Sequence, residues 1–216
     1  MKEKGHVISA LVIGFISLIG FSFIAVLISV GKVAEFDQAL ISFIRGFETP
    51  ALTSIMKLFT FIGSFPVVLV IFLIVSFIFY RVLKSRTEIF LVAAVIVGTQ
   101  VINLLLKLLF HRARPDIHLL IDVGGYSFPS GHAMSAFAVY GILTFVFWRH
   151  IPKSIGRISL IIGSSMFILF IGMSRIYLGV HYPSDIIGGY FASAAWLTVA
   201  IWFFQSYKER QWEKSS

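Results

Sequence analysis

Residues 87–115 read TEIFLVAAVIVGTQVINLLLKLLFHRARP. From Thr87 to Phe110 the run is almost wholly apolar, and it is long enough for a helix to cross a hydrocarbon core, which takes about 20 residues. Charge then crowds its end in Lys107, Arg112 and Arg114. Pro115 biases Arg114 out of the helical region, so the helix is expected to stop at His111 or Arg112. Charge placed at a membrane edge costs free energy and points to function.

The rest of the chain repeats this plan. Five further apolar runs, about Val7–Val30, Pro66–Leu83, His132–Trp148, Ile158–Met173 and Ile186–Phe204, are candidate spans. The 216 residues are 58% hydrophobic and 13% charged, with mean hydropathy +0.93. A soluble domain carries about 25% charged residues, so this chain belongs in lipid. Over Pro50–Ser64, Leu52, Ile55, Met56, Phe59 and Ile62 share one helical face and Thr53, Ser54, Lys57, Thr60 and Ser64 the other. That pattern predicts a helix lying in the membrane interface. The expected fold is all-α: a six-transmembrane-helix bundle with a short interfacial helix before the second span, in one domain over residues 1–216. Lys2 and Lys4 ahead of the first run resemble a leader peptide. Its length and the lack of a small-residue cleavage site predict a retained helix.

Six spans place both termini on one side. Eleven of the eighteen Lys and Arg then fall on that side, among them Lys2, Lys4, Arg81, Lys84, Arg149 and Lys214. The positive-inside rule makes it cytoplasmic. Trp148, Trp202 and Trp212 fall near the same edge, where an aromatic belt is expected. The net charge of +8 thus marks topology, and no nucleic-acid partner is expected. With no cysteine, disulfides, iron–sulfur clusters and thiol catalysis are excluded.

Three charged clusters all fall at the outer face: Lys107-x6-Arg114-Pro115, Pro129-Ser130-Gly131-His132, and Ser174-Arg175-x5-His181-x3-Asp185. In the second, a helix N-terminus offers free N–H groups to an anion. Ser130 suits the cap, and Gly131 lets an oxyanion approach the backbone. His132 in the first turn fits a general acid; it fits equally an incidental histidine behind a capped helix. In the third, Pro183 suits a first helical turn, so Asp185 reaches back to His181 four residues earlier. A carboxylate on one ring nitrogen frees the other to attack. The same residues also fit a solvated histidine beside an acid favoured by the helix dipole. Together, three fixed cations, two histidines and one carboxylate suit a phosphate group. No acidic or Cys/His cluster suggests a metal site or a cofactor.

In this order the clusters resemble the tripartite signature of the type 2 phosphatidic acid phosphatase (PAP2) superfamily, with every fixed position of residues 107–185 present. The resemblance implies a metal-independent lipid phosphatase acting through a phosphohistidine. It implies His181 as nucleophile, Asp185 as its orienting group and His132 as proton donor to the leaving oxygen. Lys107, Arg114, Ser130, Gly131 and Arg175 would hold the phosphate. The implied partner is a phosphorylated lipid in the bilayer: phosphatidylglycerophosphate, phosphatidate or undecaprenyl diphosphate. Vanadium haloperoxidases share such a pocket, but six spans argue against a large soluble enzyme. A transporter or lipid-binding protein with a basic outer mouth is the non-enzymatic alternative. It predicts ionisable groups near the bilayer centre, whereas here they stay near the span ends. The oligomeric state has no sequence signal.

Overall fold

A computed structural model describes residues 2–117 and 119–215, with side chains from Leu11 to Glu213 apart from His118. The side chains of Lys2, Lys4 and Lys214, used above for topology, lie outside the described residues. Among the described residues eight helices follow one another: α1 Lys2–Ser29, α2 Ala34–Arg45, α3 Pro50–Ile62, α4 Phe65–Arg81, α5 Arg86–Phe110, α6 Gly131–Trp148, α7 Ser154–Tyr177 and α8 Pro183–Ser215. There is no strand among the described residues.

Among the described residues five helices are long and apolar enough to cross a membrane: α1, α5, α6, α7 and α8. The pair α3 and α4, bent by 53° at its break, makes a sixth when counted as one broken span. The protein is therefore a multi-pass membrane protein with an all-α fold. Outward-facing Phe15, Phe23, Phe77, Phe90 and Leu109 are more than half exposed, as lipid-facing side chains are.

α1 packs along α8, α6 against α5, α7 and α8, and α3 on α7. One core joins α4, α5, α6 and α8 through Phe79, Val92, Val95, Ile142, Val146 and Phe204. Small residues allow close helix approach, the usual driving contact within membranes. A Cβ at Gly98 would collide with the indole of Trp196, whose Nε1 donates to Val95 O at 3.2 Å. Likewise a Cβ at Gly172 would meet the Tyr190 hydroxyl, which donates to Ile168 O at 2.6 Å.

Two elements differ from the sequence reading. α2 was not expected, yet its Ile41 is buried against Ala133, Ile176 and Ile186, where α6, α7 and α8 meet. α3 has the expected extent but only part of the expected polar face. Met56 is buried, with Leu52 packed beside it, and Phe59 stacks on Phe170. However, Thr53 and Thr60 also turn inward, because their hydroxyls bond Tyr177 and Arg175. Ile55, Leu58 and Phe61 face out. α3 thus turns Thr53 and Thr60 to the bundle, while Ser54 and Lys57 stay exposed beside Ile55, Leu58 and Phe61.

Candidate active site

Helix direction brings the C-terminal ends of α5 and α7 and the N-terminal ends of α6 and α8 together. The three charged clusters meet there. α5 stops at His111, which takes a left-handed conformation (φ 47°) and donates its N–H to Lys107 O, at the stop expected from Pro115. The loop to α6 is pinned by Phe128, fully buried, stacked on Phe21 and edge-on to Phe110.

Ser130 caps α6, its Oγ accepting from Ala133 N at 3.4 Å, and its own N–H donates to Asp185 O at 3.2 Å. The α6 start is thereby fastened to the first turn of α8. Gly131 sits close against α5: a Cβ there would stand 3.0 Å from Asn103 Oδ1, tighter than ordinary contact. The same Asn103 donates to Pro129 O at 3.1 Å. His132 lies over Gly63, with Cδ2 at 3.3 Å from where a Cβ would stand.

The phosphate-binding candidates divide into two groups. Lys107 Nζ donates to Tyr126 O at 2.7 Å. Arg114 grips the backbone, donating to Gly124 O at 2.8 Å, Gly125 O at 3.0 Å and Val180 O at 2.7 Å. Arg175 is 3% exposed. It donates through Nη1 to Thr60 Oγ1, while its Nε has no partner among the described residues. A buried guanidinium with spare donors suits an incoming anion.

His181, 2% exposed, sits just before α8. Its Nδ1 lies 3.4 Å from Asp185 Oδ2 and 3.3 Å from Ser127 Oγ. Its Nε2 faces Arg114 Nη1 at 3.3 Å. Burial lowers the His181 pKa to about 4, with Arg175 and Arg114 adding to the effect and Asp185 opposing it. The ring is neutral at pH 7. With Nδ1–H on the carboxylate, the Nε2 lone pair points at the cations. Burial also lowers the Arg114 pKa, against the pull of Asp185; a guanidinium stays charged regardless.

Asp185, fully buried, is more heavily bonded than the spacing foretold. Oδ2 also accepts from Ser127 Oγ at 2.5 Å and Tyr182 N at 2.9 Å. Oδ1 accepts from Arg112 Nη1 at 2.7 Å. Four participants escaped the sequence reading: Arg112, Asp37, Ser127 and Thr60. Two left a trace. Arg112 lies inside the first cluster's window, and Phe36, Leu40, Ile41 and Ile44 have the helical spacing that would have placed Asp37 on an amphipathic helix. The eight expected site residues, Lys107, Arg114, Ser130, Gly131, His132, Arg175, His181 and Asp185, all lie at one end of the bundle. Among the described residues no three His, Cys, Asp or Glu group as metal ligands.

Comparison with known proteins agrees with this architecture. The PAP2 superfamily model matches residues 88–209. The chain is 31% identical over 174 residues to phosphatidylglycerophosphatase B of Bacillus subtilis (strain 168), covering 79% of this chain and 84% of that one. It is 30% identical over 137 residues to the undecaprenyl-diphosphatase BcrC of the same strain, covering 61% of this chain and 66% of that one. The crystal structure of a transmembrane PAP2-type phosphatidylglycerolphosphate phosphatase from Bacillus subtilis aligns with TM-score 0.82 at 27% identity, over 89% of this chain and 96% of that one. Multi-span architecture, converging clusters and these likenesses together establish that the chain belongs to the PAP2 superfamily and is a membrane lipid phosphatase.

Proposed function

We propose that the enzyme removes the terminal phosphate of phosphatidylglycerophosphate by way of a phosphohistidine at His181, without a metal ion. The observation that carries this reading is the polarity of the His181 ring. Nδ1 is committed to Asp185 and Ser127, and Nε2 faces a cluster of cations. Nε2 attacks phosphorus as the bond to the lipid oxygen breaks. Arg114 Nη1, now on Nε2, turns to a phosphoryl oxygen. His132 gives its proton to the leaving oxygen. Water then attacks phosphorus, His132 takes the water's proton, the P–N bond breaks, and phosphate leaves with His181 restored. Arg114, Arg175, Lys107 and the N-terminal N–H groups of α6 stabilise the equatorial oxygens.

The likeness to phosphatidylglycerophosphatase B over 79% of the chain favours that substrate. The shorter likeness to an undecaprenyl-diphosphatase supports a second reading, in which the leaving group is a lipid monophosphate. Detergent-solubilised protein should be assayed in excess EDTA with phosphatidylglycerophosphate, phosphatidate and undecaprenyl diphosphate side by side. Phosphate release fastest from the first, and absent in His181→Ala, is expected. A faster rate on undecaprenyl diphosphate selects the second reading. Near-normal turnover by His181→Ala, or activity lost in EDTA and restored by Mg²⁺, overturns the mechanism.

A further inference from the structure

We propose that Arg112 and Asp37 are positioning residues that hold Asp185 in the orientation serving His181. The proposal rests on His181 being the nucleophile and extends that site to α2, an element outside the residues matched by the family model.

A carboxylate can orient an imidazole only if the carboxylate is itself fixed. Arg112 supplies the second side of that hold. Its Nη1 bonds Asp185 Oδ1 at 2.7 Å and Ser184 Oγ at 2.8 Å. Its Nη2 bonds Asp37 Oδ2 at 2.8 Å. The guanidinium also lies 4.1 Å from the centre of the Tyr182 ring. Asp37, 1% exposed, accepts from Ser184 N at 2.9 Å and Ser184 Oγ at 2.7 Å. α2 is therefore keyed to the first turn of α8 through one guanidinium shared by two buried carboxylates. Oδ1 of Asp185 is occupied by Arg112, and Oδ2 is left to Ser127, Tyr182 N and His181. Only a planar fork spans both acids in this way; an ammonium cannot.

The arrangement also sets charge at His181. Arg114 from the loop and Arg175 from α7 act on His181 directly, as does Asp185 from α8. Lys107 of α5 is within electrostatic reach of Asp185, His132 of α6 within reach of His181, and Tyr182 within reach of Arg112, Asp185, Asp37 and Asp116. Arg112 neutralises part of Asp185, and Asp37 neutralises part of Arg112. Removing Arg112 leaves Asp185 a stronger field at the imidazole, so the imidazolium is favoured. Removing the charge of Asp37 frees Arg112 for Asp185, so the imidazolium is disfavoured. The two changes must move His181 in opposite directions.

The test compares full-length Arg112→Gln, Arg112→Lys and Asp37→Asn in detergent. ¹⁵N NMR of labelled histidine reads the His181 titration without any substrate, and phosphate release from phosphatidylglycerophosphate gives kcat/KM. Arg112→Gln should raise the His181 pKa by about one pH unit and lower kcat/KM about 10- to 100-fold. Asp37→Asn should lower the pKa. Arg112→Lys keeps the charge but not the bridge, so it should lose rate with little change in titration. Folded Arg112 variants with kcat/KM within about twofold of the parent overturn the proposal. So does a pKa shift of the same sign in Arg112→Gln and Asp37→Asn. Failure of the near-isosteric Asp37→Asn to fold also overturns it, since that marks a purely structural pair. A His181→Ala protein that keeps turnover instead removes the nucleophile assignment, while the NMR titrations still report whether Asp185 is positioned.

Discussion

At the scale of single residues, the proposed mechanism turns on an imidazole kept neutral among cations. A histidine ordinarily titrates near 6.5; burial brings His181 to about 4. The unfolded chain therefore binds the proton more readily than the folded one. His181 costs no stability above about pH 6.5, and folding weakens as pH falls from there towards 4. In the proposed mechanism the acid partner, His132, is separable from the nucleophile, His181. His132→Ala should still take phosphate onto His181 from nitrophenyl phosphate, whose leaving group needs no protonation. With a lipid phosphate it should slow by about 100-fold or more. Quenching without acid and locating the label checks this, and label on His132 of the parent enzyme would reverse the two roles. The four-residue step from His181 to Asp185 was legible because helical spacing is local. The bond from Arg112 to Asp37, 75 positions apart, has no local sign in a single sequence.

At the scale of elements, α5, α6, α7 and α8 were readable because each pairs an apolar run with a recognisable end: Pro115, the Ser130 cap, Arg175, Pro183. Their limits shifted mainly outward, to Ser154–Tyr177 for α7 and to Ser215 for α8, since helical hydrogen bonding continues past the edge of the apolar run. α3 misled in one respect. Threonines at helical spacing suggest a wet face, but a hydroxyl in a bundle is equally satisfied by a buried partner. Thr60 holds Arg175, and Thr53 holds the Tyr177 hydroxyl at 2.9 Å, which also bonds Thr49. The two therefore separate function from packing on one helix. Thr60→Val removes a bond to a charged group, worth about 1.5–3 kcal/mol, and should lower kcat/KM by about tenfold or more. Thr53→Val should lower the thermal midpoint while leaving kcat/KM within about twofold, a neutral bond being worth about 1 kcal/mol. Equal kinetic effects of the two, measured on protein of matched folded fraction, would detach α3 from phosphate binding.

Across the whole molecule, the ends of the bundle carry different chemistry. One end gathers the three clusters. The opposite end holds Arg81, Lys84 and Arg86 where α4 meets α5, and Arg149, Lys153 and Arg157 where α6 meets α7. There, Arg157 lies 5.1 Å from the Trp148 ring and Arg149 4.7 Å from Phe145, as cations do beside an interfacial aromatic belt. α5, at about 1.5 Å per residue, is long enough to separate these ends by a full hydrocarbon core. The positive-inside rule then predicts a cytoplasmic position for the second end and an extracytoplasmic position for the site. Absence of native cysteine makes the test direct. Ser85, which makes no side-chain cap bond, marks the basic end. Gly125 is unsuitable for the other, since its φ of +74° strains any side chain, whereas Asp122 is exposed in the same loop. On intact cells a membrane-impermeant maleimide should label Asp122→Cys and spare Ser85→Cys until the membrane is permeabilised. The reverse pattern would put the site at the inner leaflet, and with it the phosphate the enzyme releases.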